Sequence, residues 1–196
     1  GSEMCIRDST WGYRTTMGFG YHEFLQFCED IGAEGMFVCN VGLGCQGRAG
    51  DACPEEEVDF FINDALDAID YALGDGTTAW SRKRVENGHP EPFPLKYVEI
   101  GNENWGPVYE KRHDKFYKAI KAKYPQLKLI STLGLGGQHR HEKVDMIDPH
   151  WYVSPEFFFA SDKLFDQQER GDYEIYIGEY AVNQNVGGGN LLGALA

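Results

Sequence analysis

The sequence predicts an α/β protein built on a parallel sheet. Two observations carry the prediction: short apolar segments alternate with longer segments of helical periodicity, and glycine-rich or polar residues follow the apolar segments. With 196 residues, the chain has the length of one domain. Its hydrophobic content of 42% is enough for a substantial core.

Five segments have the composition of strands. They lie around residues 36–41, 96–101, 127–132, 146–151 and 174–179. A (β/α)8 barrel needs eight strand–helix units and typically about 250 residues. The chain therefore predicts a partial barrel of about five units.

Helices are predicted between these strands, where apolar residues recur every three or four positions. The first is Tyr21–Ala33, and the clearest is Pro54–Asp75, which opens with proline and three acids. Val108–Pro125 and Pro155–Glu169 have the same character. The polar stretch Gly76–Pro94 is predicted to be a long surface loop.

Charge and composition exclude several classes of protein. The 31 acidic and 18 basic residues give a net charge of −13, which argues against nucleic acid or an anionic membrane as partner. No apolar run approaches the ~18 residues of a membrane span, and no secretory signal is evident. Localisation stays open between bacterial cytoplasm and secretion. The five cysteines include no CxxC, so free thiols are expected, although a local disulfide among Cys39, Cys45 and Cys53 is left open.

The first nine residues are interpreted as a non-native leader. Gly1-Ser2 resembles the scar of tag removal, and "EMCIRDS" (Glu3–Ser9) resembles a translated sequencing adaptor of the kind found in metagenomic assemblies. Residues 10–196 are then expected to form the partial barrel domain.

Two of the predicted strands end in a glutamate, Glu103 in "EIGNEN" and Glu179 in "IYIGEY". Parallel α/β folds place their active sites at the carboxyl ends of the strands. Two carboxylates there could flank one bond, as glycoside hydrolysis requires, with one protonated and the other ionised. The alternative is that both glutamates are solvated loop residues.

Two other motifs are interpreted as carrying no chemistry. The glycine pattern Gly42–Gly47 follows a strand, but no helix opens within the turn to bind a dinucleotide phosphate. The "HRH" of His139–His141 lacks a suitably spaced third ligand, so a solvated loop is favoured over a metal site. No metal is predicted.

Several motifs together resemble the glycoside hydrolases of family 51, whose main activity is α-L-arabinofuranosidase. They are "KYVEIGNENWGPVY", "DPHWYVS" and "IYIGEYAVNQNVGGGNLLGALA", and the resemblance covers nearly everything after residue 10. It implies a (β/α)8 barrel of which this chain holds about strands three to seven. It also implies removal of α-L-arabinofuranosyl residues from plant polysaccharides or oligosaccharides with retention, without a cofactor.

The resemblance implies roles for individual residues. Glu103 matches the general acid/base at the end of the fourth barrel strand, and Glu179 matches the nucleophile at the end of the seventh. Asn102 matches a residue that contacts the sugar hydroxyl beside the reacting carbon. Tyr152 matches a tyrosine near the nucleophile, and His150 belongs to the same wall.

Three further side chains are candidates for lining a sugar site. Trp105 and Trp151 have ring faces suited to stacking on sugars, although packing at the barrel rim is equally expected. Asn40 stands at the end of the third barrel strand.

Two alternatives remain beside the arabinofuranosidase. One is another retaining specificity, such as β-xylosidase or endo-β-glucanase, because two glutamates do not choose the sugar. The other is a truncated, inactive sugar-binding scaffold. The resemblance implies that the first two strands, the eighth and a β-sandwich are missing, and the open barrel edges predict a homo-oligomer.

Overall fold

The computed structural model describes residues 6–7, 14–15, 18–48, 50–133, 143–166 and 171–183. By internal contacts the chain divides into two compact units. One comprises residues 1–37 and 63–97, and the other comprises residues 38–62 and 98–196.

Strands and helices alternate along the chain, as the sequence predicts. The helices are α1 (Tyr21–Asp30), α2 (Val58–Leu73), α3 (Ala79–Glu86), α4 (Gly106–Lys123) and α5 (Pro155–Ala160). A 3-10 turn, Glu55–Glu57, precedes α2. The strands are β1 (Ile6–Arg7), β2 (Arg14–Thr15), β3 (Gly35–Cys39), β4 (Leu95–Ile100), β5 (Lys128–Ser131), β6 (Met146–Ile147), β7 (Trp151–Val153), β8 (Glu174–Ile175) and β9 (Tyr180–Val182).

Five strands form one sheet in the order β3-β4-β5-β6-β8, which is also their order along the chain. The pairs β5–β6 and β6–β8 are parallel, with Ile130 opposite Met146 and Ile147 opposite Ile175. These are the five predicted strand segments. The α/β class with a parallel sheet is therefore confirmed.

The last predicted strand is divided between two sheets. Instead of one strand over Tyr173–Asn183, β8 pairs with β6, and β9 pairs in parallel with β7 in a separate two-stranded sheet. The chain leaves the first sheet because the Gly178 amide donates to the Asp148 side chain, at 2.6 Å, and not to a strand carbonyl.

The prediction of a loop over Gly76–Pro94 is wrong, because the segment contains α3. Thr78 caps this helix, and its side chain and that of Ser81 exchange hydrogen bonds with each other's backbone amides. The helix buries a charged residue, Arg84, whose guanidinium donates to five backbone carbonyls. Those acceptors are Tyr71, Ala72, Gly74, His89 and Pro90. Hydrophobic periodicity missed the helix because a buried arginine takes the place of an apolar face.

In the unit of residues 38–62 and 98–196, α4 holds the carboxyl ends of two strands. The buried Tyr109 hydroxyl donates to the Ile100 carbonyl at 2.7 Å and accepts from the Thr132 amide at 3.0 Å. Arg112, also buried, donates to the carbonyls of Gly42 and Cys53, each at 2.7 Å. Helix α4 therefore fixes the loops that follow β3, β4 and β5.

The remaining sequence predictions have mixed outcomes. Cys28, Cys39, Cys45 and Cys53 form no disulfide among the described residues, as expected, and Cys5 lies outside those residues. The predicted helix Pro155–Glu169 ends earlier, at Ala160. "HRH" and "GGGNLLGALA" also lie outside the described residues. Within the described part, none of the helices combines the length and apolar character needed to cross a bilayer.

Candidate active site

Glu103 stands in a tight turn directly after β4, and two backbone features shape that turn. Gly101 and Glu103 both have positive φ, 87° and 49°. The buried Asn104 closes the turn, since its Oδ1 accepts from the Asn102 amide at 3.1 Å and its Nδ2 donates to the Gly44 carbonyl at 2.9 Å. The second amide of "NEN" therefore shapes the turn that presents the carboxylate.

The backbone of Glu103 leads to a stability prediction. A Cβ in the left-handed region is unfavourable, whereas glycine adopts that region freely. We expect Glu103→Gly to be more stable than Glu103→Ala by about 0.5–1 kcal/mol in urea unfolding. In β8, Glu174→Gly should be less stable than Glu174→Ala, because strand backbone disfavours glycine. If the glycine variant were the more stable one at both positions, or the less stable one at both, the backbone strain at Glu103 would be contradicted.

Among the described residues, two side chains form hydrogen bonds with the Glu103 carboxylate. Cys45 Sγ lies 2.7 Å from Oε2, and His150 Nδ1 lies 3.2 Å from Oε1. The Cys45 thiol, followed by His150, lowers the pKa of Glu103 below its usual value. The ionised form of Glu103 is therefore favoured in the absence of substrate.

Glu179 lies between β8 and β9, and Tyr152 is the donor that the described residues bring closest to its carboxylate. The Tyr152 hydroxyl donates to Glu179 Oε2 at 2.5 Å, and this hydrogen bond raises the pKa of Tyr152 to about 12. The Trp151 amide donates to the Glu179 carbonyl at 3.1 Å and fixes the backbone beneath the side chain. The Glu179 side chain is 41% exposed, so a ligand can reach it.

His150 lies between the two glutamates. Its Nδ1 is 3.2 Å from Glu103 Oε1 and 3.6 Å from Glu179 Oε2. One carboxylate oxygen of each glutamate and the His150 nitrogen lie within 4.8 Å of one another. The hydrogen bond to Asp148, then that to Glu103, raises the pKa of His150 to about 9. The site therefore holds two carboxylates facing one imidazolium.

Two buried acids stand behind His150, and sequence reasoning missed both. Asp148 Oδ2 accepts from His150 Nε2 at 3.1 Å. Glu99, in β4, is buried beside Asp148, and both its burial and the charge of Asp148 raise its pKa. A glutamate inside an apolar strand, as in "YVEI", is the signal that could have found it.

These pKa values predict how stability depends on pH. A folded-state pKa of about 9 for His150, against 6.5 unfolded, contributes stability that is fully present below about pH 6.5 and lost as the pH rises through 9. The raised pKa of Glu99 acts in the same direction, since the folded state holds its proton longer. We expect the midpoint temperature of thermal unfolding to decrease as the pH is raised from 6.5 to 9. The decrease should be smaller in His150→Gln. An equal dependence of the midpoint temperature on pH in the unmodified protein and in His150→Gln would contradict the raised pKa of His150.

In the part of the chain that the structure describes, two sets of three side chains have the spacing of cation ligands. They are Glu99, Asp148 and His150, and Glu103, His150 and Glu179. Hydrogen bonds from His150 to Asp148 and to Glu103 account for the close approach in each set. We therefore assign no ion to either set.

The other predicted residues differ in their surroundings. Trp105 has a half-exposed ring, and Asn102 is exposed beside it. Trp151 instead stacks on Phe157, with ring centroids 5.2 Å apart. The Asn40 side chain accepts from the Gly42 amide at 2.7 Å, so it shapes the loop after β3.

Sequence comparison identifies the family. Residues 3–170 match the family model described as the alpha-L-arabinofuranosidase 1 domain. The chain belongs to this family. It is 37% identical to alpha-L-arabinofuranosidase 2 of Arabidopsis thaliana and 36% identical to the extracellular exo-alpha-L-arabinofuranosidase of Streptomyces chartreusis, in each case over 94% of this chain. It spans 27% and 24% of the lengths of these relatives.

Solved structures of family 51 enzymes have the same fold as this chain over most of its length. The arabinose-bound family 51 α-L-arabinofuranosidase MgGH51 superposes with a TM-score of 0.81 at 32% identity, covering 89% of this chain and 28% of that one. The α-L-arabinofuranosidase of Thermotoga maritima, in complex with arabinose, superposes with a TM-score of 0.63 at 24% identity, covering 83% of this chain and 35% of that one. The chain thus corresponds to a portion of the catalytic barrel of family 51.

Proposed function

We propose that the chain carries the catalytic pair of a retaining α-L-arabinofuranosidase, with Glu179 as nucleophile and Glu103 as general acid/base. The separation of the two carboxylates supports this most directly. One oxygen of each lies within 4.8 Å of the other. Retaining glycosidases hold their carboxyl groups about 5–5.5 Å apart, whereas inverting ones need roughly 6.5–9.5 Å to admit a water.

The proposed reaction is a double displacement. A Glu179 carboxylate oxygen attacks the anomeric carbon of the arabinofuranoside, while the bond from that carbon to the leaving oxygen breaks and Glu103 donates a proton to the leaving oxygen. This forms an arabinosyl ester on Glu179. Water then attacks the same carbon, Glu103 removes a proton from the water, and the ester bond to Glu179 breaks, so the configuration is retained.

The catalytic proton is shared between Glu103 and His150. Glu103 must be protonated to act as an acid, yet its pKa is lowered by the Cys45 thiol and by His150. The pKa of His150 is about 9, and its Nδ1 lies 3.2 Å from Glu103 Oε1. The pair titrates as one unit, and His150 is the near source of the proton that Glu103 delivers.

Tyr152 prepares the nucleophile. Its hydroxyl donates to Glu179 Oε2, which fixes the carboxylate plane and leaves Oε1 as the oxygen that attacks. The exposed Trp105 ring, two residues after Glu103, is available for stacking on a sugar face. Asn102, exposed next to Glu103 in the sequence, is the residue we assign to a sugar hydroxyl.

The choice of arabinose comes from the relatives, whose names describe α-L-arabinofuranosidases. Because the chain spans about a quarter of their length, its substrate is part of the proposal. Arabinose-containing oligosaccharides or polysaccharides are the expected ligands. The homo-oligomer predicted from open sheet edges also stays a prediction, and a stable monomer in light scattering would contradict it.

The proposal is tested by release of the aryl group from an aryl α-L-arabinofuranoside, with an aryl β-D-xyloside in parallel. We expect turnover of the arabinofuranoside that is lost in Glu103→Ala and in Glu179→Ala, while Glu174→Ala, at an exposed glutamate of β8, retains it. Preferred turnover of the xyloside would favour the other retaining specificity. Binding of arabinose oligosaccharides without turnover would favour the scaffold. Activity that survives both mutations would contradict the proposal.

A further inference from the structure

Asp148 joins two parts of the site. It is buried directly after β6, with Oδ1 accepting from the Gly178 amide at 2.6 Å and Oδ2 accepting from His150 Nε2 at 3.1 Å. Gly178 immediately precedes Glu179. A single carboxylate therefore connects the histidine that faces both glutamates to the backbone that carries one of them.

The approach of Asp148 to this backbone is close enough to need glycine. A Cβ added to Gly178 would lie 2.5 Å from Asp148 Oδ2 and 2.8 Å from Tyr176 Cε1. Any side chain at this position would push the carboxylate away. The glycine of "IYIGEY" therefore admits Asp148 to the strand end.

Glu99 faces Asp148 in the same buried space. It is 3% exposed, and one of its carboxylate oxygens lies within 4.8 Å of one carboxylate oxygen of Asp148. Its Oε1 has no hydrogen-bond partner among the described residues. Two buried carboxylates so close together do not both ionise. Asp148 has two donors that stabilise a negative charge, so the proton belongs on Glu99.

We propose that Asp148 is a positioning residue that fixes His150 against Glu103 and Glu179, and that Glu99 supports it as a buried, protonated carboxylic acid. The proposal rests on the proposed function, because it gives His150 a place in the catalytic site. Asp148 anchors Nε2, and this leaves Nδ1 as the ring nitrogen that faces both glutamates. Both acids are buried, and they stand within 4.8 Å of His150, so both act through His150.

The titration of His150 tests whether Asp148 positions the imidazole, and it can be measured whether or not the protein turns over a substrate. The titratable groups around it and its anchor are Glu103, Glu179, Asp148, Glu99, Tyr152 and Tyr176. The imidazole signals of the six histidines can be followed by NMR in a histidine-labelled protein, with His150→Gln assigning the signal of interest. We expect the His150 midpoint near 9 to fall by about one pH unit or more in Asp148→Asn, which is about a tenfold change in proton affinity.

Asp145→Asn is the matched control. Asp145 is also partly buried before β6, but it accepts from the Leu129 amide and pairs with Lys121, away from His150. We expect this variant to lose stability and to keep the His150 midpoint. An unchanged midpoint in Asp148→Asn, or an equal fall in Asp145→Asn, would overturn the role of Asp148.

Two further variants complete the test. Glu99→Gln should shift the His150 midpoint less than Asp148→Asn does, because Asp148, and not Glu99, accepts the hydrogen bond from His150 Nε2. A fall as large as that of Asp148→Asn would overturn the proton assignment. If Asp148→Asn does not fold, Gly178→Ala tests the role of Asp148 instead. Its methyl group displaces the Asp148 carboxylate from His150, while the negative charge of that carboxylate remains. The midpoint must then fall, and an unchanged midpoint overturns the role of Asp148.

The outcome is separable from that of the proposed function. If the protein shows no turnover, the His150 titration still tests the positioning by Asp148. If turnover is present, Asp148→Asn should lower kcat more than it raises KM and should shift the pH profile. A loss of activity with an unshifted His150 titration would indicate a general structural role and would overturn the proposal.

Discussion

Glu103→Ala is expected to be reactivated by azide on an aryl arabinofuranoside with a good leaving group. Such a leaving group departs without proton donation, so the arabinosyl ester on Glu179 still forms. Hydrolysis of that ester is then slow, because no base activates water. For substrates with poor leaving groups, we expect a loss of about 10²–10⁴ in rate, the usual contribution of a general acid. Azide needs no base and should yield the arabinosyl azide of retained configuration.

In the presence of azide, Glu179→Ala should give an arabinosyl azide of the opposite anomeric configuration. Without the nucleophile no ester forms, and the loss without azide should be on the order of 10⁴ or more. Azide can then attack the substrate directly, with Glu103 as acid, and the arabinosyl azide should have inverted configuration. The two configurations, determined by NMR of the product, assign the two roles separately. Azide products of the same configuration from both variants would contradict the assignment, and Glu174→Ala serves as the control that needs no azide.

Arg84→Ala is expected to destabilise the protein by about 3–5 kcal/mol, the range for breaking a buried charged network. The guanidinium is fully buried and makes five hydrogen bonds to backbone carbonyl groups, all of which the substitution removes. Urea unfolding followed by circular dichroism measures the loss. Arg84→Lys should recover only part of it, because an ammonium group lacks the planar fork.

Arg82→Ala is the control for this experiment. It lies on the same helix, α3, but it is exposed, and the one hydrogen bond of its side chain within the described ranges is to the Thr77 carbonyl at 3.0 Å. We expect a change of at most about 0.5 kcal/mol, as for other surface substitutions. Equal losses in Arg82→Ala and Arg84→Ala would show that the network of Arg84 does not stabilise the protein.

The strand order and the two glutamates could be predicted from local signals. Each strand of the main sheet is a short apolar run. Glu103 lies three residues after the end of β4, and Glu179 lies four residues after the end of β8. Parallel strands bring their carboxyl ends to one edge, so sequence position alone brings the two acids together. The family motifs add the roles that the resemblance implies.

Helix α3 and the buried acids could not be predicted in this way. Arg84 and Glu99 are charged residues in the interior, and a hydrophobicity pattern assigns such residues to the surface. Their burial depends on partners that come from other segments: five carbonyls for Arg84, and the Asp148 carboxyl group for Glu99. Cys45 escaped notice for the same reason, because its contact with Glu103 joins residues 58 positions apart.

By itself, therefore, the sequence determined the α/β class, the five strands of the sheet and the two strand-end glutamates, because apolar periodicity and turn residues are local properties. Only the tertiary structure decided that His150 stands between Glu103 and Glu179, and that Asp148 and Glu99 stand behind it. Protonation and orientation depend on distances of a few ångströms between distant segments. No local pattern records those distances.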